Sequence, residues 1–144
     1  MKISTRGRYA IRLMLELAMH SEGELVSVKD VAASQEISEK YMEQIIAPLK
    51  KAGYVKSVRG AQGGYCLARR AEEYTVGMIL RIIEGSMAPV DCLDDPVNQC
   101  QRAGRCVTLR LWTMVDDAIK GVIDKVTLQD LVDWQMEMGQ DYQI

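Results

Sequence analysis

The chain has 144 residues, of which 48% are hydrophobic, and a formal net charge of −2 at pH 7. This length suits one domain with an appendage, or a domain that is completed by dimerisation. The first residues contain no apolar stretch of signal-peptide length, and no later run approaches the roughly 20 apolar residues that span a bilayer. We therefore expect a soluble, cytoplasmic protein with no membrane partner.

The small net charge conceals a difference between the two halves of the chain. Residues 1–70 contain twelve Lys and Arg against seven Asp and Glu, whereas residues 71–144 contain six against thirteen. The first half is therefore a candidate binder of a polyanion such as nucleic acid. Clustered basic residues also occur on ordinary solvated faces, so charge alone leaves both interpretations open.

Three helices are predicted in the first third of the chain. Residues 8–20 carry apolar side chains at helical spacing, and Ser27 and Ser38 each follow a capping pattern that opens a short helix. The two short helices, joined by a brief turn, form a helix-turn-helix candidate. Pro48 predicts a kink or an early end in the second one, because it lacks an N–H and its ring crowds the preceding turn.

The next segment, SVRGAQGGYCLARR at residues 57–70, predicts a hairpin. Residues 54–58 and 65–68 have strand composition. The connection between them holds three glycines that are predicted to supply positive φ angles: Gly60, Gly63 and Gly64.

A hairpin directly after a helix-turn-helix is typical of a winged-helix wing. Arg59 and Gln62 would line its tip, where a narrow loop can enter or straddle a minor groove. Arg69 and Arg70 close the hairpin, and we expect them to lie near phosphates. The alternative is a hairpin that merely covers the core.

The second half predicts two further helices after a short one. Thr75 caps a helix that ends at Gly85, residues 85–105 lack periodicity, a long helix resumes at Val107, and Thr127 opens the last helix. The fold class is therefore mainly α with a small β-hairpin wing, a winged helix-turn-helix with a long additional helix. We divide the chain into residues 1–84 for DNA binding, 85–105 for a cysteine-bearing loop and 106–144 for dimerisation and the last helix.

The long helix has an apolar stripe with no obvious partner in so small a chain. The stripe consists of Leu111, Trp112, Val115, Ala118, Ile119 and Val122. It predicts a homodimer, because a two-fold protein that presents two recognition helices matches a palindromic operator on double-stranded DNA. Packing of this helix against its own winged domain is the alternative.

Three cysteines, Cys92, Cys100 and Cys106, lie within fifteen residues of the irregular segment. A short flexible segment can bring such thiols around one soft metal centre. Three interpretations remain open: an iron-sulfur cluster, a zinc site with a borrowed fourth ligand, and a redox thiol pair. The zinc site is the less favoured of these, because the segment lacks the C-x2-C pair of common zinc ribbons. Cys66, alone at an apolar position of the wing, is expected to be a small core residue.

Catalysis is not expected. The one histidine, His20, is predicted to flank the end of the first helix, and the sequence contains neither a nucleophile elbow nor a phosphate-binding loop.

Several segments together resemble one known family. They are MKISTRGRYAIRLMLELA, ISEKYMEQIIAPLKKAGYVKSVRGAQGGYCLAR, TVGMILRIIEG, and the cysteine segment followed by LW and VTLQDLV. The chain is similar to the IscR-like winged-helix repressors, whose relatives include nitric-oxide-sensing NsrR and the cysteine-metabolism repressor CymR. The resemblance covers nearly the whole chain and implies a homodimeric repressor with an iron-sulfur cluster before a long dimerisation helix.

The resemblance also implies roles for individual residues. Lys40, Glu43 and Gln44 would face base edges, Tyr41 would lie near phosphate, and Arg59 would enter the minor groove. This chemistry is consistent, since glutamine suits adenine, glutamate accepts from cytosine N4, and arginine favours a narrow groove.

The implied cluster ligands are Cys92, Cys100 and Cys106, with [2Fe-2S] favoured over [4Fe-4S]. The fourth ligand departs from the family pattern. Leu109 stands where IscR has a histidine, and Arg8 stands where NsrR-like members have a carboxylate. Four side chains or a small exogenous ligand could complete the site: His20, Asp91, Asp94 and Asp95.

The sequence therefore predicts a repressor that senses iron-sulfur cluster status and controls cluster-biogenesis genes. Three alternatives stay open: a cluster-free repressor of cysteine metabolism controlled by thiols or a partner, a nitric-oxide-sensing repressor, and a metal-binding scaffold without a DNA role.

Overall fold

The computed structural model describes residues 2–141, which form six α-helices and one two-stranded hairpin, so the predicted fold class is confirmed. The helices are α1 (Thr5–Met19), α2 (Val28–Gln35), α3 (Glu39–Lys51), α4 (Val76–Glu84), α5 (Val107–Ile123) and α6 (Leu128–Asp141). The strands are β1 (Val55–Val58) and β2 (Gly64–Leu67), and short 3-10 turns occupy Ala71–Glu73, Asp91–Leu93 and Ala103–Arg105. Among these residues, no helix is long and apolar enough to cross a membrane.

Side-chain caps set the starts of the first three helices. The hydroxyls of Ser27 and Ser38 accept the backbone N–H groups of Asp30 and Tyr41, both at 3.1 Å, as the capping patterns predict. α1 begins at Thr5 rather than at residue 8, because Ser4 provides a cap that the apolar pattern does not reveal.

α3 does not end early at Pro48, so that part of the prediction is wrong. The helix continues to Lys51, and Ala52 donates its N–H to the Pro48 carbonyl at 3.0 Å. Proline removes the N–H that would bond the carbonyl four residues earlier, that of Gln44. The guanidinium of Arg6 donates to this same carbonyl at 3.4 Å and replaces the missing donor.

The predicted hairpin is present, and it is fixed to the helix-turn-helix. β1 and β2 pair antiparallel, and Val26, just before α2, exchanges two backbone hydrogen bonds with Tyr65 at 2.9 and 2.8 Å. Gly60 (φ 116°) and Gly64 (φ 159°) have the predicted positive φ, whereas Gly63 does not. Gly63 is needed for another reason: a Cβ there would collide with the Val58 carbonyl.

The core lies between α1, α3 and α4, and α6 closes it. Its fully buried side chains include Leu13, Met14, Met42, Ile45, Leu49, Tyr74, Ile79 and Leu128. Leu128 belongs to α6 and donates its N–H to the Tyr74 carbonyl at 2.9 Å. α6 thus packs back on the part of the chain that contains α1 to α4 and the hairpin, which we call the winged part. The division at residues 1–84, 85–105 and 106–144 stays a prediction, and residues 142–144 lie outside the described part.

α5 projects from this core with little cover. Its exposed apolar side chains include Val107, Leu111, Trp112, Met114 and Val122. Asp116 is the one buried residue of α5 among those described, and its carboxylate forms an ion pair with the Lys120 Nζ at 2.8 Å. The apolar stripe is therefore largely open to solvent in the single chain.

Candidate nucleic-acid interface and cysteine loop

One face of α3 is buried and the opposite face is open. Lys40, Glu43 and Gln44 are exposed, while the intervening apolar residues of α3 pack into the core. Spacings of three and four place these side chains on one helix face. This face offers an ammonium, a carboxylate and an amide, which together can hydrogen-bond to base edges in a major groove.

Tyr41, the residue predicted near phosphate, is half-buried at the junction of α1 and α3. Its ring meets that of Tyr9 edge to face, with centroids 6.1 Å apart. The Arg12 guanidinium lies 5.6 Å from the centroid of the Tyr9 ring. These contacts fix the direction of α3 relative to α1.

Arg6 is a residue that the sequence analysis missed. It is exposed on the first turn of α1, and its bond to Gln44 places a guanidinium beside the open face of α3. The apolar pattern predicts a helix that starts at residue 8, which places Arg6 outside it. The signal that could have found it is Pro48, whose missing N–H requires a substitute donor.

The wing carries Arg59 and Gln62 at its exposed tip, as predicted. A cleft of about 510 Å³ separates the hairpin from the helix-turn-helix, and Lys50, Ser57 and Arg59 are among its lining residues. A basic side chain of α3 and one of the wing therefore face the same cleft, which favours a polyanion lying across both.

Arg69 and Arg70 lie at the other end of β2 from this tip. The Arg69 guanidinium lies 5.6 Å from the Tyr54 ring centroid, and Arg70 pairs with Glu72 at 2.7 Å.

Cys66, on β2, is half-buried and lines a cavity, so its prediction as a core residue is wrong. The reason is that β2 lies at the edge of the domain, and its four residues are all only partly covered.

The three loop cysteines are free thiols in different local settings. Cys92 lies in a 3-10 turn, Cys100 is exposed, and Cys106 occupies the cap position of α5. The Thr108 hydroxyl, at 3.3 Å from the Cys106 sulfur, lowers the pKa of that thiol, and the Leu109 amide contributes in the same direction. A lowered pKa favours the thiolate, which is the form that binds metal and reacts with oxidants.

The structure does not bring the three thiols together. Within the part of the chain that the structure describes, no three His, Cys, Asp or Glu side chains are grouped so that they could share one metal ion. The donor set nevertheless fits an iron-sulfur cluster in its chemistry, because three unpaired thiols precede one helix on a weakly packed segment. Binding would require the loop to contract around the cluster.

One hydrogen bond closes the first part of this loop, and the same carboxylate faces α4 and α5. Ser86, just after α4, donates its hydroxyl to the Asp94 carboxylate at 2.6 Å. Asp94 also lines a cavity of about 330 Å³ together with Arg81 of α4 and Asp116 and Lys120 of α5. A change in the loop can therefore reach the packing between α4 and α5 directly.

Comparison with known proteins identifies similar chains. The profile of the Rrf2 family, described as an iron-dependent transcriptional regulator, matches residues 3–134. The HTH-type transcriptional regulator CymR of Bacillus subtilis is 44% identical over 135 residues, which cover 93% of this chain and 91% of that protein.

IscR proteins are also similar. The HTH-type transcriptional regulator IscR of Pectobacterium atrosepticum is 38% identical over 132 residues, covering 92% of this chain and 79% of that protein. The solved structure of T. potens IscR superposes with a TM-score of 0.77 at 42% identity, covering 96% of this chain and 90% of that one.

Proposed function

The chain belongs to the Rrf2 family and is a DNA-binding transcriptional regulator, and we propose that it represses its targets as a homodimer that senses iron-sulfur cluster status. Family membership also excludes the catalytic interpretation, since the relatives are transcriptional regulators. The regulated genes that we propose are those of cluster biogenesis.

In this proposal, α3 enters the major groove and the wing follows the adjacent minor groove. Lys40, Glu43 and Gln44 contact base edges, Tyr41 contacts phosphate, and Arg59 and Gln62 act from the wing. The open face of α3 and the shared cleft of Lys50 and Arg59 support this arrangement.

Dimerisation through α5 follows from the exposed stripe described above. A contiguous exposed apolar surface of this kind marks a site of protein–protein contact. A two-fold axis along paired α5 helices would present two copies of α3 to a palindromic operator.

Cys92, Cys100 and Cys106 would hold an iron-sulfur cluster, [2Fe-2S] rather than [4Fe-4S], and the cluster would supply sensitivity to oxygen, nitric oxide or iron shortage. The chain itself contributes the loop along which these cysteines are spaced. Its contraction would move Asp94, which lines the cavity shared with Arg81 of α4 and Asp116 of α5, and would thereby alter how α5 packs against α4. A switch of this kind needs only a few kcal/mol of differential binding.

The observation that carries the proposal is the position of three free thiols immediately before the uncovered helix α5. The test is an ultraviolet-visible spectrum with iron and sulfide assays on protein purified without oxygen, beside Cys92→Ala and the control Cys66→Ala. We expect visible absorption that is lost in Cys92→Ala and retained in Cys66→Ala. Iron-free, colourless protein that still binds DNA would overturn cluster sensing.

A second candidate is a cluster-free repressor controlled by thiol oxidation or by a partner protein. Two observations favour it: the thiols are not gathered, and Leu109 replaces the histidine expected from IscR. The lowered pKa of Cys106 suits an oxidant-sensitive thiol. Operator binding that changes with peroxide, reverts with a thiol reductant and requires no iron would establish this candidate instead.

A further inference from the structure

A cavity of about 210 Å³ opens on a side of the winged part that carries neither the recognition-helix residues nor the loop cysteines. Leu17 and Ala18 near the end of α1 form part of its wall, Cys66 and Leu67 of β2 another part, and Gln129 of α6 a third. Three elements that are distant in sequence thus meet around one polar space.

The charged residues of the wall are of both signs. Arg69 and Arg70 follow β2, Glu22 lies in the turn after α1, and Glu72 lies in the 3-10 turn. Arg70 and Glu72 neutralise each other in an ion pair of 2.7 Å. His20 also lines the cavity and lies 3.3 Å from the Glu24 carboxylate. Among the described residues, neither Arg69 nor Glu22 forms an ion pair; the Arg69 guanidinium lies against the Tyr54 ring, a contact that leaves its N–H donors open.

We propose that this cavity binds a small zwitterion, an α-amino acid with a short side chain, with Arg69 on its carboxylate and Glu22 on its ammonium group. A guanidinium is well suited to a carboxylate, because its N–H donors match the two oxygens. The volume lies below the range of roughly 300–1,000 Å³ that is typical of drug-sized ligands, so a nucleotide is too large. Leu17 and Leu67 offer apolar contact for a short side chain.

The location implies a consequence for the fold. The Arg69 N–H donates to the Tyr74 hydroxyl at 3.1 Å, and Gln129 belongs to α6, so a bound amino acid would touch the base of the wing and the last helix together. A ligand that binds only the folded state raises the melting temperature. This inference does not depend on the cluster or on DNA.

The test is isothermal titration calorimetry of the purified full chain without DNA. The probes are glycine, L-alanine and L-serine, with acetate and methylammonium as ligands that carry only one of the two charges. We expect at least one amino acid to bind and both single-charge ligands to bind about tenfold more weakly or not at all. Arg69→Gln should weaken binding about tenfold or more, whereas Arg110→Gln on α5 should leave it unchanged.

Alkylation of Cys66, which lines the cavity, reports whether the amino acid binds there. In a chain whose loop cysteines are all replaced by serine, the bound amino acid should slow alkylation of Cys66 by iodoacetamide. No heat from any of the three amino acids at millimolar concentration would overturn the proposal. So would equal binding by acetate, unchanged binding in Arg69→Gln, or alkylation of Cys66 that the amino acid does not slow.

Discussion

The guanidinium of Arg81 on α4 donates two hydrogen bonds to the carboxylate of Asp124 at the end of α5, with N···O distances of 2.5 and 2.9 Å. This bidentate ion pair holds the C-terminal end of α5 against α4. The hydrogen bond from Arg81 lowers the pKa of Asp124, and the carboxylate raises the pKa of Arg81.

Asp124→Asn should lower the melting temperature at pH 7 and have progressively less effect in acid. A carboxylate whose pKa is lower in the folded state stabilises the fold above its unfolded pKa of about 3.9, and that stabilisation is lost as the pH falls through the folded value. Because both side chains are more than a third exposed, we expect about 1 kcal/mol at most, or about 2–4 °C. Thermal unfolding at pH 7 and at low pH measures the effect, with Asp117→Asn as the control; an equal shift at both pH values would contradict the assignment.

Tyr74→Phe should reduce the free energy of unfolding by about 1–3 kcal/mol. The buried Tyr74 hydroxyl donates to the Tyr54 carbonyl at 2.7 Å and accepts the Arg69 N–H at 3.1 Å. Phenylalanine would leave the Arg69 N–H unpaired and remove one of two hydrogen bonds to the Tyr54 carbonyl, which keeps the Ala68 N–H at 3.2 Å. Burial also raises the pKa of this phenol. Urea unfolding measures the loss, and Tyr9→Phe is the control because it retains the ring contact with Tyr41. A loss no greater than in the control would refute the role of the hydroxyl.

The parts of the fold that could be predicted from sequence depend on local interactions. The hydroxyls of Ser27, Ser38 and Thr75 each accept an N–H three residues later, and Thr127 and Asp130 bond each other's backbone N–H groups. Such contacts are contained within four residues, so the sequence pattern reveals them.

The parts that sequence reasoning missed depend on distant partners. Pro48 does not end α3, because Arg6, 38 residues away from Gln44 in sequence, supplies a donor. The cavity beside Cys66 is lined by residues that are distant in sequence, from the end of α1, from β2 and from Gln129 of α6. The exposed face of α3 and the wing tip could be predicted, since both are set by hydrophobic periodicity and a glycine-rich turn.

Gly7→Ala should destabilise the protein although alanine is the better helix former. Glu84 accepts the Ser4 N–H at 2.9 Å and also the Ser4 hydroxyl, and a Cβ on Gly7 would collide with that carboxylate. The collision should outweigh the propensity gain of about 1 kcal/mol. Gly121→Ala is the matched control, because nothing lies within 4 Å of its added Cβ and the change should stabilise α5. Urea unfolding of both variants should give opposite signs; a gain in both would show that Glu84 moves aside without cost.

Arg59→Ala and Gln44→Ala should weaken operator binding in different ways. Loss of a phosphate-neutralising cation from the wing should reduce the slope of log affinity against log salt by about 0.9. Gln44→Ala should leave that slope unchanged and cost about 1–3 kcal/mol of discrimination at one base position. Fluorescence anisotropy with operator and scrambled duplexes over a salt series separates the two effects, and Arg110→Ala serves as the control for charge alone. If Arg59→Ala matches Arg110→Ala, the wing does not contact DNA.

Leu111→Asp should convert the protein from dimer to monomer. Leu111 is half exposed at the start of the α5 stripe beside Trp112, and a carboxylate placed there would be desolvated without a partner in a paired α5 interface. Arg110→Asp places the same carboxylate one residue away, outside the apolar stripe, and should leave the dimer intact. Sedimentation velocity over a concentration series distinguishes the two states. Since two copies of α3 on one operator require the dimer, Leu111→Asp should also abolish binding to the full palindrome while the circular dichroism of the chain remains helical; a dimeric Leu111→Asp variant would show that α5 packs by another face.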